Sequence, residues 1–263
     1  MSDNCANCSQ LVTENYCANC GQKRYSRIDK QYLLEELYEV LIYANKGFMY
    51  SVLKVAMNPG KTAREFLDGN RLKHYKPILL AFVLSGISAI ISFQFIELEK
   101  AMRLIYSQQE VNNKLANELV AFSVSYNSFL MLLLIPFFAL LTKICFNRWG
   151  QNYYEHIVMN SYILSFITIF NIVVFSPIAY YYKDSPTTVI NIFMISLATT
   201  PIILTWFFKQ FYKEHSLKSI ILRLLLFIAL GIVLYIALII LLIALGFFVA
   251  MLFGPELLQN IKP

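Results

Sequence analysis

The apolar residues of this chain come in long blocks. Residues 77–96, 124–146, 157–182, 189–208 and 220–253 carry almost no formal charge, with Lys143 and Arg223, each near a block end, as the exceptions. About 20 helical residues cross a ~30 Å hydrocarbon core, and each block is that long. A buried helix of a soluble domain would be shorter and would keep a polar face. The pattern predicts an all-α membrane bundle of about five transmembrane helices. The last block is too long for one upright crossing, reaching about 51 Å at ~1.5 Å per residue. With Gly231, Gly246 and Gly254 as candidate breaks, it is expected to tilt, to turn at the interface near 246–253, or to fold back as a hairpin.

Two shorter stretches precede the first block and read differently. In "RIDKQYLLEELYEVLIYA", apolar residues at 33, 34, 37, 40, 41 and 44 recur at helical spacing, with Glu35, Glu36 and Glu39 on the other side. Ser26-x-x-Asp29 resembles a capping box. "GFMYSVLKVAMNPG" gives a second apolar face that stops at Asn58-Pro59-Gly60. These helices are too polar to span and are expected to lie on the inner membrane surface or to pack on the bundle. In "NPGKTAREFLDGNRLKHYKP", Thr62-x-x-Glu65 reads as a capping box and Gly69 as a helix stop. Beyond the first block, 97–122 repeats apolar residues at helical spacing (Leu98, Met102, Ile105, then Leu115, Leu119, Phe122) and is expected to form one or two outer amphipathic helices.

Composition supports the membrane reading. Hydrophobic residues make up 58% of the chain and charged ones 14%, against roughly 45–50% and about 25% in soluble domains. The opening "MSDNCANCSQ" is polar, so no secretory leader is expected. If the N-terminus is cytoplasmic, 17 of the 22 Lys and Arg residues fall inside and five outside. The positive-inside rule therefore predicts a cytoplasmic N-terminus and an external C-terminus. The net charge of +6 follows from that bias, and nucleic acid is not an expected partner. Arg64, Arg71 and Lys73, next to the first span, are topogenic charges. They are also candidates for holding an anion or an anionic lipid headgroup.

A reducing compartment changes the meaning of the cysteines. Cys5-x2-Cys8 and Cys17-x2-Cys20 give four thiolates in two knuckles, the spacing of a structural four-cysteine zinc site, with a redox pair or an iron site as the alternatives. Gly21 follows the second pair and Ser9 stands in that place after the first. Such a short segment cannot bury a useful core, and metal binding would supply the missing folding energy. Cys145 lies alone at a span end and reads as a packing residue. The expected organisation is a zinc ribbon over 1–25, cytoplasmic amphipathic and basic helices over 26–76, and a transmembrane bundle over 77–263.

The first 80 residues resemble a bacterial family of multi-pass membrane proteins of unknown function. The resemblance is carried by Cys5, Cys8, Cys17, Cys20, Gly21 and Gln22, then by Gly47, Pro59, Gly60, Arg64, Glu65, Phe66, Gly69, Arg71, Tyr75 and Pro77. Phe66 stands where that family often has Tyr. The resemblance implies a zinc ribbon tethered to a helical bundle in the bacterial cytoplasmic membrane, and it supplies no reaction.

The spans carry no acid, His or Lys near their centres, which argues against a proton-coupled transporter. Hydroxyls and amides do occur, including Ser85, Ser88, Ser92, Asn160, Asn171, Thr199 and Thr200. The face formed by Ala81, Ser85, Ala89 and Ser92 suits close helix packing. Pro136, Pro177 and Pro201 are candidate kinks, with Thr199 and Thr200 placed to satisfy the carbonyl that Pro201 frees. Glu155 and His156, opening the third span, are the candidates for catalysis, as a metal or proton-relay pair or as partners of Arg64, Arg71 or Arg148. The preferred reading is a membrane interaction or regulatory protein that docks a cytoplasmic partner through the zinc ribbon. A membrane enzyme or a lipid- or anion-handling protein with its site at the cytoplasmic interface is the alternative, and a permease or channel ranks below both.

Overall fold

The structure, a computed structural model, describes residues 4–24, 29–32, 47–108 and 127–253. These residues are helical apart from a small head, whose pairing consists of two isolated bridges, Asn4 with Leu11 and Tyr16 with Lys23. The helices are α1 (Phe48–Met57), α2 (Pro59–Leu67), α3 (Pro77–Ile90), α4 (Leu98–Gln108), α5 (Asn127–Leu133), α6 (Ile135–Cys145), α7 (Tyr153–Phe170), α8 (Ser176–Tyr181), α9 (Pro186–Phe211) and α10 (Leu217–Phe253). Wider π-helical turns extend α3 through Ile91–Phe95 and join α7 to α8 through Asn171–Phe175.

Four helical stretches are long and apolar enough to cross a membrane: Pro77–Phe95, Tyr153–Tyr181, Pro186–Phe211 and Leu217–Leu241. The expected second span is divided instead into α5 and α6, with Leu134 between them. Pro136 sits in the first turn of α6 and has no N–H to offer the Leu132 carbonyl. Hydrogen bonds resume on either side, from Leu134 N to Leu130 O (3.0 Å) and from Phe138 N to Leu134 O (2.9 Å). The expected turn or hairpin in the last block is absent: α10 runs unbroken through Gly231 and Gly246, about 55 Å at ~1.5 Å per residue. The outer helix is present as α4, and the rest of that expectation, like most of the 28–46 stretch and Ser26, lies outside the described residues. Asp29 caps a helix start itself, accepting from Tyr32 N (2.8 Å).

The α1–α2 corner shows why the chain breaks where it does. Gly47 has φ +110°, and a Cβ there would lie 2.7 Å from the Lys73 carbonyl oxygen. Pro59 then occupies the first turn of α2, where a missing N–H costs nothing. Gly60 lets α2 sit directly on the end of α9, since a Cβ would lie 2.1 Å from the Phe207 carbonyl oxygen. The expected Thr62–Glu65 capping box does not form, because α2 starts earlier. Thr62 is one turn inside and donates to the carbonyls of Asn58 (2.8 Å) and Lys54 (3.1 Å). The open end of α2 is capped from α9 instead, where Gln210 Oε1 accepts from Gly60 N (3.0 Å). Gly69, at φ +107°, ends the helix as expected, with Asn70 N donating to Glu65 O (3.0 Å).

Two buried clusters fix the two ends of the bundle. At the head end, Phe66, Leu80, Val158, Tyr162, Phe207 and Phe211 join α2, α3, α7 and α9. Phe146 stacks on both Phe208 (4.4 Å) and Tyr212 (5.4 Å). At the far end, Ile96, Ala101, Phe175, Ala179, Val189 and Ile192 pack together. Hydrocarbon gives helices no hydrophobic reason to associate, so close packing of small groups matters there. Ala81 and Ser85 of α3 and Ser161 and Ser165 of α7 are all buried. The last two return their hydroxyls to the carbonyls one turn back, at 2.9 and 2.8 Å.

Candidate metal head and juxtamembrane platform

The head is a short duplication, "CANCSQ" at 5–10 and "CANCGQ" at 17–22. Each copy folds into the same knuckle. Cys5 N donates to Gln10 O (2.7 Å) and Ser9 N to Cys5 O (2.8 Å), while Cys17 N donates to Gln22 O and Gly21 N to Cys17 O, both at 2.8 Å. The turn requires positive φ, +62° at Ser9 and +71° at Gly21. The knuckles face each other, with Cys5 Sγ 3.6 Å from Cys20 Sγ, Cys8 Sγ 3.5 Å from Cys17 Sγ, and all four sulfurs within 4.8 Å. No disulfide joins them. Four thiolates around one ion at the ~2.3 Å zinc–sulfur distance would stand roughly 3.8 Å apart, so the spacing fits a tetrahedral ion. Such a site has four protein ligands and no open position, and so serves structure. The Cys20 thiol is drawn down to about 6, chiefly by the Asn7 side chain and then by the Gln22 backbone.

The two glutamines of the repeat diverge. Gln10 is exposed, whereas Gln22 is buried against the turn that follows α2. Gln22 Nε2 donates to Gly69 O and Gln22 Oε1 accepts from Leu72 N, each at 2.8 Å. One amide thus satisfies both backbone groups of the turn and fastens the head to the α2–α3 connection.

The other candidate residues lie around the bundle's head end. Arg71 Nε donates to Phe66 O (3.3 Å), and its guanidinium lies over the rings of Tyr32 (4.7 Å) and Phe66 (5.8 Å). Arg64 pairs with Asp68 at 3.1 Å and lies over Phe211. Lys73 is exposed. Glu155 forms a capping box with Asn152: Glu155 N donates to Asn152 Oδ1 (2.9 Å) and Asn152 N to Glu155 Oε2 (2.7 Å). His156 is fully buried, and its ring nitrogens have no hydrogen-bond partner among the described residues. Asn160 bonds the His156 carbonyl (2.8 Å) and Thr142 Oγ1 (2.9 Å). Arg64 and Arg71 thus lie over different rings, Phe211 and Phe66, Glu155 caps the start of α7, and Arg64 and Glu155 both act on the buried Tyr212 phenol.

Sequence reasoning missed a cluster beside them. Arg223 lies over Trp149 (4.3 Å) and donates to the Cys145 carbonyl, and Trp149 stacks on His215 at 3.8 Å. Tyr212 is buried there, and burial pushes its phenol upward while Arg64 pulls it down. The available signal was Arg223 itself, an arginine inside an apolar block.

Residues 45–89 match a family model described as "Protein of unknown function (DUF3667)". No curated protein and no solved structure matches the chain. The match runs from Gly47, at the start of α1, through the Pro59–Gly60 corner and the Gly69 turn into α3, so it covers the platform to which Gln22 fastens the head.

Proposed function

We propose that this chain is a zinc-headed integral membrane protein whose head is a cytoplasmic docking module. The observation that carries this reading is the Gln22 clamp, which presents a closed metal knob at one fixed place on the bundle. Zinc is the ion that four thiolates at this spacing favour. Counting the Pro136-interrupted α5–α6 stretch as a crossing gives five spans, with 17 of 22 Lys and Arg residues on the head side. That bias supports a cytoplasmic head, an external C-terminus and, with the resemblance noted above, a bacterial cytoplasmic membrane. Affinity purification from membranes tests the reading, with wild type set against Cys17→Ser and Gln22→Ala. A partner held by wild type and lost in both variants supports docking. An unchanged partner set overturns it. Metal analysis of the purified chain should find one zinc per molecule.

A further inference from the structure

A cavity of about 410 Å³ lies within the bundle, between α3, α6, α7 and α9. Its size falls within the range of small-molecule sites. Ser85, Ser88 and Ser92 enter it from α3, Thr168 and Asn171 from the α7 segment and Ser196 from α9. The α3 serines are three and four residues apart, which puts them on one helical face. Both π-helical turns border the space through Ser92 and Asn171, and such turns recur at functional sites.

Several serine and threonine hydroxyls elsewhere in the bundle are used up. Thr142, Ser161, Ser165, Thr199 and Thr205 each donate to a carbonyl of their own helix. In the cavity wall, Ser196 donates to Asn171 Oδ1 and Asn171 donates to Ile167 O. The hydroxyls of Ser85, Ser88, Ser92 and Thr168 have no hydrogen-bond partner among the described residues, although they border the space. In a hydrocarbon environment an unmet hydroxyl is costly, so this stripe is set for an occupant that bonds it. The rest of the lining is mostly apolar, with Phe138, Ile163, Leu204 and Phe227 beside Asn160, Ser176 and Thr200, and no Asp, Glu, Lys, Arg or His lines the space. Met131 and Leu197, also in the wall, are exposed on the outside of the bundle, so the space is reached from the bilayer.

We propose that this cavity binds an uncharged, hydroxyl- or ester-bearing lipid, its polar edge on the α3 serines and its chain along the apolar wall. A phosphate-bearing headgroup finds no cation there. The site stands whether or not the head docks a partner.

The test uses the full chain in nanodiscs with a diacylglycerol carrying an acyl-chain diazirine, and a matching phosphatidylcholine probe. Crosslinks should concentrate on 77–95 and 186–211, fall with unlabelled dioleoylglycerol, and be weaker with the phosphatidylcholine probe. Ser88→Leu should abolish most of the labelling at an unchanged melting temperature. Ser88→Ala, which keeps the fold and removes one hydrogen bond, should lower it roughly fivefold. Crosslinks spread evenly over lipid-facing α10, equal labelling by both probes, or labelling unaffected by Ser88→Ala would each overturn the proposal. So would absence of labelling, the result for a cavity that holds only water.

Discussion

His74 shows how one side chain can carry a pH dependence. It is buried between the rings of Tyr50 (5.4 Å) and Phe66 (6.2 Å), and neither ring nitrogen has a hydrogen-bond partner among the described residues. Burial holds its pKa below the ordinary histidine value, against an opposing pull from Glu65. The unfolded chain therefore binds the proton more readily than the folded one. Stability is full above the ordinary histidine range and declines as pH falls through it toward the lowered folded value. The melting temperature in detergent should drop between pH 7.5 and 5, and His74→Phe should flatten that drop. An identical slope in the variant would assign the effect elsewhere. Ser9 offers a second single-residue test. It adopts the left-handed conformation that its repeat partner Gly21 takes freely, at a cost of about 1 kcal/mol for a residue with a Cβ. Ser9→Gly should slow loss of the head's metal to a chelator, measured as the rate of metal release.

Among the elements, the joints decide the arrangement, and their partners explain what could be read in advance. Pro59-Gly60 and Gly69 announce a break and a stop, and the structure puts both there, because these residues act through their own backbone, whereas the start expected at Thr62 lies one turn too late. The cap of α2 was not legible, because its acceptor is Gln210, far along the chain and recognisable only once α9 is in place. The four-cysteine cluster was legible because its spacing is local, whereas the Gln22 clamp was visible only as part of a resemblance. Replacing Gln22 by alanine leaves the Gly69 carbonyl and the Leu72 amide unmet, at about 1–3 kcal/mol for each group that stays buried. Hydrogen exchange at Leu72 should accelerate in Gln22→Ala while the metal content is unchanged. α1 supports a further prediction. Ser51 and Val55 face the bundle, and Ser51 Oγ accepts from Tyr75 N (2.6 Å). Met49, Leu53 and Met57, four residues apart, point away and are exposed. That stripe is placed to sink into the membrane interface, so a nitroxide at Leu53 should be relaxed more by oxygen than by a water-soluble nickel reagent.

At the scale of the molecule, the packing orders the two ends of the bundle. Phe146 and Trp149, after α6, touch Tyr212 and His215, after α9, and Gly60 sits on the end of α9, so these turns share the head's end. Glu97 lies at the other end, where Lys100 and, at longer range, Lys183 hold its carboxyl below the usual range. Successive long segments therefore alternate in direction, which the apolar blocks foretold. The break at Leu134 goes beyond the kink expected at Pro136, because hydropathy does not register what a proline removes from the backbone. The basic residues complete the assignment: Lys209, Lys213 and Lys218 flank the head-side turn, whereas the far turn near 183 has Lys183 beside Asp184. The prediction is an external 182–186 turn and a cytoplasmic 212–216 turn. In a chain with its five native cysteines replaced by serine, Ser185→Cys should react with a membrane-impermeant maleimide on intact cells. Ser216→Cys should react only after the membrane is opened. Because the head cysteines are the candidate metal ligands, the same pair is repeated with them retained, scoring only label that depends on the added cysteine. Reaction of Ser216→Cys on intact cells in both backgrounds would invert the topology and place the metal head outside, in a compartment where four thiols would face oxidation instead of zinc.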